Sequence, residues 1–292
     1  MRVPSSSVVV SLFALTLCAS AGTIPQSQHI WIITEENHSY EKVMGNSNMP
    51  YFNSLAKKYA VAAQYYANIH NSLTDLMLVV AGQNVTLWDG TTSCYNVDNV
   101  VRHLLLHGMT WKSYQEDLPY AGFTGLRWDG YLRRHNPLID FIDVCAPSQR
   151  LNDVPYSQLA KDIANNATPN YAFISPNKWH DAHDGTLAQA DQWLSQQVPK
   201  ILALPEFQSG GDGLLFIVWD EGTHTDDRCS ASKLTGCGGR IANLVIGPKV
   251  KRGYKSQVLY HHQSLMRTVC DAFTFNTCPG AAASAPSMSD VF

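Results

Sequence analysis

Residues 29–40 read HIWIITEENHSY. The segment His29 to Thr34 is a short run of β-branched and aromatic residues, the pattern of a strand buried on both faces. It stops on two carboxylates, an amide and an imidazole: Glu35, Glu36, Asn37 and His38. A buried strand ending in this much charge needs something opposite to neutralise it. The same pattern recurs along the chain. VAAQYYANI (61–69), NYAFISP (170–176), GLLFIVWDE (213–221) and IANLVIGP (241–248) read as further strands. Between them, 49–60, 72–82, 97–108, 157–166, 186–204 and 262–273 have helical spacing, with Gly82 and Gly108 as stops. Strands alternating with helices of this length predict the α/β class, with a mostly parallel sheet covered on both faces. The section 118–150 is expected to be an insertion forming one wall of a cleft. GAAASAPSMSD (280–290), low in bulky residues, reads as a loose end.

The chain has 292 residues. Its first 21 carry a basic start at Arg2, an apolar run and a small-x-small end at Ala19-Ser20-Ala21, and are expected to be a cleaved export signal. A membrane anchor is the competing reading, but the run is too short to span a bilayer. A lipid-modified Cys18 is disfavoured by Leu17 just before it. No later stretch approaches ~18 uninterrupted apolar residues, so residues 22–292 are expected to form a single secreted domain without a stable membrane anchor. Without Arg2 the balance is 20 basic to 24 acidic residues, which gives no reason to expect nucleic acid as a partner.

Six cysteines follow the leader, an even number that suggests disulfides in an exported chain. Cys229/Cys237 and Cys270/Cys278 each close a short loop, which leaves Cys94 with Cys145; fifteen pairings are formally open. No Cys-x-x-Cys favours zinc instead. Asn84-Val85-Thr86 is a usable glycosylation sequon, and Asn166-Ala167-Thr168 is weaker because Pro169 follows.

In open parallel sheets, chemistry gathers where strands end. Four polar clusters fall there: Glu35-Glu36-Asn37-His38, His70-Asn71-Ser72, His180-Asp181-Ala182-His183-Asp184, and Asp220-Glu221. Each alone has an ordinary explanation. Ser72 with Asp75, for example, is a capping-box pattern, so a plain helix N-cap is the default for that serine. Taken together, converging carboxylates would repel and resist ionisation unless a cation neutralised them. Oxygen donors from Glu, Asn and Asp suit one hard divalent ion: Mg²⁺, Ca²⁺ or Mn²⁺ rather than Zn²⁺. The expectation is therefore a metal opposite Glu36 and Asn37. Consecutive strand residues face opposite ways, so Glu36 with Asn37, or Asp220 with Glu221, can share it only where the strand has ended. Ser72, at a helix N-terminus near such an ion, has a second reading as an activated nucleophile. It lacks the G-x-S-x-G elbow of an α/β-hydrolase, and neither a Walker loop nor a G-x-G-x-x-G turn is present.

EENHSY, YLRRHNPL, SPNKWHDAHD, VWDEG, GGRIANLVIGPKVKRGY and HHQSLMRT, in this order and spacing, resemble the phosphoesterase family of secreted acid phosphatases and bacterial phospholipases C, within the alkaline-phosphatase superfamily. YLRRHNPL and TWKSYQEDLP look closest to the acid-phosphatase branch. The resemblance implies a three-layer α/β/α sandwich with its site at the carboxyl edge of the sheet. It implies metal ligands Glu36, Asn37, Ser72, Asp220 and Glu221, and catalytic Ser72, His183 and His135. Substrate would meet Asn37, His70, His135, Asp181, His183, Asp184 and His262. The implied reaction is metal-dependent hydrolysis of a small phosphate ester through phosphoserine. Two departures stand out: Asp75, where relatives tend to have Asn, puts a carboxyl close to the expected phosphate position, and His180 stands where Asn is common. Three alternatives remain: a phosphodiesterase or phospholipase C on the same fold, an inactive secreted binding protein favoured by Asp75, and a metal-independent serine hydrolase.

Overall fold

A computed structural model describes residues 23–88, 90, 92–228 and 237–292. The leader expected over 1–21 and Cys229 lie outside the described residues. The described residues form ten strands: β1 (Ile30–Glu35), β2 (Ala60–Tyr66), β3 (Trp111–Gln115), β4 (Arg127–Trp128), β5 (Tyr131–Leu132), β6 (Asp153–Pro155), β7 (Tyr171–Ser175), β8 (Leu214–Trp219), β9 (Arg240–Ile246) and β10 (Lys255–Tyr260). Eight of them form one sheet in the order β10-β2-β9-β8-β1-β7-β3-β6, and β4 with β5 makes a separate ribbon. All pairs in the main sheet are parallel except those of β9, which runs antiparallel to both β8 and β2.

Every residue of β1, β7 and β8 is buried, as expected for central strands covered on both faces. Trp31 of β1 stacks near Tyr114 of β3 (6.4 Å, 3°), and Trp219 of β8 meets the edge of Phe52 (4.9 Å, 83°). Phe52 belongs to the helix Pro50–Lys58, which packs on the helix Leu187–Leu202. Met49 has no side chain able to cap Pro50–Lys58; Asp191 of the neighbouring helix accepts the Tyr51 and Phe52 N–H groups instead (2.9 and 2.8 Å). The other main helix pair is Ser72–Ala81 with His262–Phe273. Among the described residues no helix is long and apolar enough to cross a membrane.

The structure differs from the sequence reading at the periphery. β3, β6, β10 and the β4–β5 ribbon are not among the expected strands; β10 mixes exposed and buried positions and lacks the continuous apolar run of the centre. The helix expected over 97–108 is only Val100–Leu106, because Asn99 caps it by accepting the Arg102 N–H. The tail is not loose. Ala282, Met288 and Val291 are buried, and Asp290 accepts from the hydroxyls of Tyr254, Ser256 and Tyr260 (3.2, 2.5 and 2.6 Å). Cys94–Cys145 and Cys270–Cys278 are disulfides; Cys237 is disulfide-bonded as well.

The expected insertion is tied to the sheet by a buried polar network. Asn136 donates to Asp153 of β6 (3.0 Å) and to the Tyr131 hydroxyl (3.2 Å), and accepts from Ser113 of β3 (3.1 Å). Burial pushes the Asp153 carboxyl up to about 7, against an unfolded value near ~3.9. The sign follows directly: below pH ~4 the group is protonated in both states and costs nothing. Between pH ~4 and ~7 the unfolded chain alone ionises, so folding loses stability as pH rises. Thermal melts should therefore show a higher Tm at pH 5 than at pH 8, and Asp153→Asn should shrink that difference. An unchanged difference in the variant would refute this role for Asp153.

Candidate active site at the carboxyl edge of the sheet

β1 and β8 are neighbours and end side by side, at Glu35 and Trp219. The residues that follow are free of strand alternation. Asn37 adopts a left-handed backbone (φ 33°), a conformation Asn tolerates better than most residues. Its N–H donates to Asp220 Oδ1 (3.0 Å), which also accepts the Glu221 N–H (2.6 Å). The Glu36 N–H donates to the Asp181 carbonyl (2.7 Å), and the Asp220 N–H to the Glu35 carbonyl (2.9 Å). Glu36 and Asp220 thus come together, and the Asp220 charge acts on the Glu36 carboxyl.

Ser72 comes to them from β2's side of the sheet. The expected cap is displaced by one residue: Asn71, with extended backbone, is the N-cap, and its Oδ1 accepts the Thr74 N–H (3.0 Å). Ser72 is therefore the first helical residue, and its hydroxyl is released from capping. It donates to Glu36 Oε2 (3.0 Å). Asp75, the other half of the expected capping box, is fully buried and accepts from the N–H groups of Asn68 (3.0 Å) and Ile69 (3.4 Å). It braces the turn before His70 and presents no surface to solvent. Its carboxyl lies well above the usual range, through burial first and the Asp220 charge second.

The insertion delivers His135. Its carbonyl accepts from Ser175 Oγ at the end of β7 (2.5 Å), and its Nδ1 lies 2.9 Å from Asp181 Oδ2. A left-handed Ala182 (φ 72°) turns the next loop so that the His183 N–H donates to Asp181 Oδ1 (2.7 Å). His183 Nδ1 contacts Asp184 Oδ1 (2.8 Å), and Asp184 also pairs with Lys178 (2.7 Å), which with His183 holds its carboxyl below the usual range. Arg134 reaches the same place: its Nη2 donates to His183 Nε2 (2.9 Å) and its Nε to His135 Nε2 (3.3 Å). Motif reading did not select Arg134 or Ser175. Only the adjacency of Arg134 to His135 in YLRRHNPL pointed toward it.

The electrostatics converge on a cation. Burial, then Asp220 and Asp181, pushes the Glu36 carboxyl well above its ordinary value; burial likewise raises Asp181. Glu36 Oε1 and Asp220 Oδ2 are buried without a hydrogen-bond partner. Glu36 Oε1 also lies 3.3 Å from His135 Nε2, a nitrogen already accepting from Arg134. Acceptors facing acceptors in a buried place are costly unless a cation or a proton lies between them. The orphaned oxygens of Glu36 and Asp220, with Ser72 and Asn37 alongside, therefore fit a hard divalent ion. Ligand atoms of Glu36, His135 and His183 also lie within 4.8 Å of one another. Since Arg134 occupies the Nε2 side of both rings, the oxygen set is the better match. Glu35 stands apart: both its carboxylate oxygens are buried and unpartnered, and burial holds the acid well above its usual range.

Other named residues surround this cluster, and the Glu221 charge is felt at Glu36. Glu221 lies on His70 Nδ1 (2.8 Å), and His70 Nε2 on the Asp226 carbonyl (3.1 Å). His262 is completely buried behind the site, with Nε2 on the Asp220 carbonyl (2.6 Å) and Nδ1 facing the Tyr65 hydroxyl (3.2 Å); burial pulls it down to about 3, so it is a neutral prop for Asp220. His180 contacts Glu116 (2.9 Å).

Comparison with known proteins assigns the class. The Phosphoesterase family matches residues 46–276, a span that includes Ser72, His135, Asp181, His183 and Asp220 and begins just after Glu36 and Asn37. The chain belongs to the Phosphoesterase family, a class of phosphoric ester hydrolases. It is 28% identical over 304 residues to a phosphatidylinositol-3-phosphatase of Mycobacterium tuberculosis, covering 100% of this chain and 95% of that protein. It is 29% identical over 251 residues to an acid phosphatase of Aspergillus fumigatus, covering 82% of this chain but only 53% of the fungal protein. Among solved structures, a protein of the alkaline phosphatase superfamily from Vibrio parahaemolyticus shares the fold (TM-score 0.58, 11% identity, 89% of this chain and 71% of that one). So does the lipoteichoic acid synthase LtaP of Listeria monocytogenes (TM-score 0.61, 11% identity, 94% and 78%).

The placement of Asp75 has a direct test. Asp75→Asn keeps an acceptor for the Asn68 N–H and gives up only the longer contact to Ile69, so it should lower Tm less than Asp75→Ala. Asp75→Ala strands two buried N–H groups and should cost about 1–3 kcal/mol in denaturant unfolding. Equal stability of the two variants would contradict the bracing role.

Proposed function

We propose that the protein is an exported, metal-dependent phosphomonoesterase of the acid-phosphatase kind, working through a phosphoserine at Ser72. The observation that carries the reading is the Ser72 hydroxyl at a helix N-terminus, 3.0 Å from Glu36, beside the unpartnered oxygens of Glu36 and Asp220. The names of the mycobacterial and fungal relatives, all phosphatases, favour a monoester. Disulfides and the leader-like first 21 residues support export.

Glu36, Asn37, Ser72 and Asp220 would hold the divalent ion, with Glu221 behind them bracing His70. Such an ion supplies charge neutralisation at phosphoryl oxygens and makes a nearby hydroxyl easier to ionise. The remaining work falls to the chain's own side chains. Ser72 Oγ gives up its proton toward Glu36 Oε2 and attacks phosphorus; the bond from phosphorus to the ester oxygen breaks. The helix Ser72–Ala81 points its N-terminal dipole at the developing negative charge. His135 and His183, oriented by Asp181 and Asp184, face the phosphoryl group, and one of them gives the departing alcohol its proton. Water then gives a proton to the imidazole that lost one and attacks phosphorus; the P–Oγ bond breaks, Oγ takes its proton back from Glu36, and phosphate is released. Imidazole acids of this kind favour mildly acidic operation. Most of the rate enhancement comes from positioning and charge neutralisation, as is usual in phosphoryl transfer.

Ser72→Ala should lower kcat on p-nitrophenyl phosphate by at least ~10³-fold while shifting Tm by no more than about 2 °C. Undiminished turnover in that variant would eliminate the covalent route. Excess EDTA should abolish activity in the parent protein and Mg²⁺ or Mn²⁺ restore it, with Asp220→Asn needing at least ~10-fold more metal for half-maximal rate. Full activity in chelator, with elemental analysis finding no bound metal, would exclude the metal assignment.

A further inference from the structure

The two arginines of the turn Arg133–His135 have different surroundings. Arg133 is buried and committed: Nε and Nη2 hold Asp140 (3.0 and 2.5 Å), and Nη1 donates to the Thr124 carbonyl (2.7 Å). Arg134 is half-buried, opens onto the site, and makes no ion pair among the described residues. Its described hydrogen bonds go to the Nε2 atoms of His183 and His135 (2.9 and 3.3 Å). A guanidinium can only donate, so each Nε2 accepts in these two contacts, while each Nδ1 faces a carboxylate, Asp184 or Asp181. Lys178, by contrast, pairs with Asp184, and Arg228 and Arg240 share Glu41. The contacts Arg134–His135–Glu36–Ser72 run at 3.3, 3.3 and 3.0 Å, so this cation lies within two side chains of the hydroxyl.

An arginine fork without a carboxylate, parked on two imidazole lone pairs, is matched by a planar pair of phosphoryl oxygens. We propose that Arg134 is a phosphate-binding residue that takes two terminal oxygens of the substrate and sets a preference for monoesters over diesters. The proposal rests on the phosphoesterase reading of the site and extends it to substrate class. A monoester offers three unsubstituted oxygens and close to two negative charges near neutral pH. A diester offers two such oxygens and one charge. With one oxygen engaged at the Glu36–Asp220–Ser72 cluster, only the monoester leaves two for the fork. Arg134 therefore gains a bidentate, charge-assisted contact with one class and a single weaker one with the other.

The test compares parent, Arg134→Gln and Arg134→Lys proteins, each loaded with the same divalent metal and each shown to melt at the same temperature. Substrates are p-nitrophenyl phosphate and bis(p-nitrophenyl) phosphate; binding of inorganic phosphate is followed separately by calorimetry. Arg134→Gln should lower kcat/KM for the monoester about 100-fold and for the diester about 10-fold, shifting their ratio about 10-fold. It should weaken phosphate binding by at least ~10-fold, and Arg134→Lys, which keeps the charge but loses the fork, should fall between. An unchanged ratio, or phosphate binding equal to the parent's, would overturn the proposal. Parent protein that binds phosphate through Arg134 yet hydrolyses neither ester would instead sink the phosphatase reading, while upholding Arg134 as a phosphate ligand.

Discussion

Two carboxylates, Glu36 and Asp220, are driven together in a place with almost no water, and the surrounding structure is organised to keep them there. Each is pinned through its backbone to the other's strand or to the adjoining loop: Glu36 N–H to Asp181, Asp220 N–H to Glu35. Asp220 Oδ1 takes two amide hydrogens and Glu36 Oε2 takes the Ser72 hydroxyl, but one oxygen of each acid has no partner. Leaving buried negative charge uncompensated costs several kcal/mol per ion, so the arrangement makes physical sense as half of a cation site. This parallel β1–β8 adjacency is the constraint from which the rest of the site follows.

The other parts converge on that point from three directions. From one side, the Ser72 helix is aimed by Asn71, by Asp75 beneath it, and by the loop 67–70. That loop is clamped by Gly238: a Cβ there would stand 2.4 Å from the Ile69 carbonyl oxygen, so only glycine allows the backbones to approach. Antiparallel β9 brings this glycine to the same edge, since its amino end lies where its neighbours' carboxyl ends do. From the opposite side, the segment 118–150 carries Arg134 and His135, anchored by the Asn136–Asp153–Ser113 network. From below, His262 holds the Asp220 carbonyl.

Legibility followed burial. β1, β7 and β8 announce themselves because both faces are covered and nearly every position before the strand end is apolar, so local composition reports the tertiary environment. β10 mixes exposed and buried positions and β6 is only three residues long; both are edge elements whose existence depends on partners remote in sequence. The terminal segment, poor in bulky residues, is ordered because Asp290 finds three hydroxyls from β10 and its approach; no local pattern encodes that meeting. Within the site, Glu36, Ser72, His135, Asp181, His183 and Asp220 were named from motif order, and the fold gathers them. Glu221, His70, His180 and His262 were named on the same grounds; the structure sets Glu221 against His70, His180 against Glu116 and His262 against the Asp220 carbonyl. Arg134 escaped notice because two successive arginines look alike in sequence, and only their surroundings separate a paired one from an unpaired one.

The amino-acid sequence by itself determined the α/β class, the central strands and the placing of carboxylates, imidazoles and a helix-start serine just past strand ends, because periodicity and composition are local properties. Tertiary structure alone decided that Asn71 rather than Ser72 caps its helix, which oxygens remain unpartnered, and which arginine is left without a counter-charge. Those outcomes depend on what stands within about 3 Å across gaps of 36 to 183 residues in the chain. Sequence position carries no record of such distances.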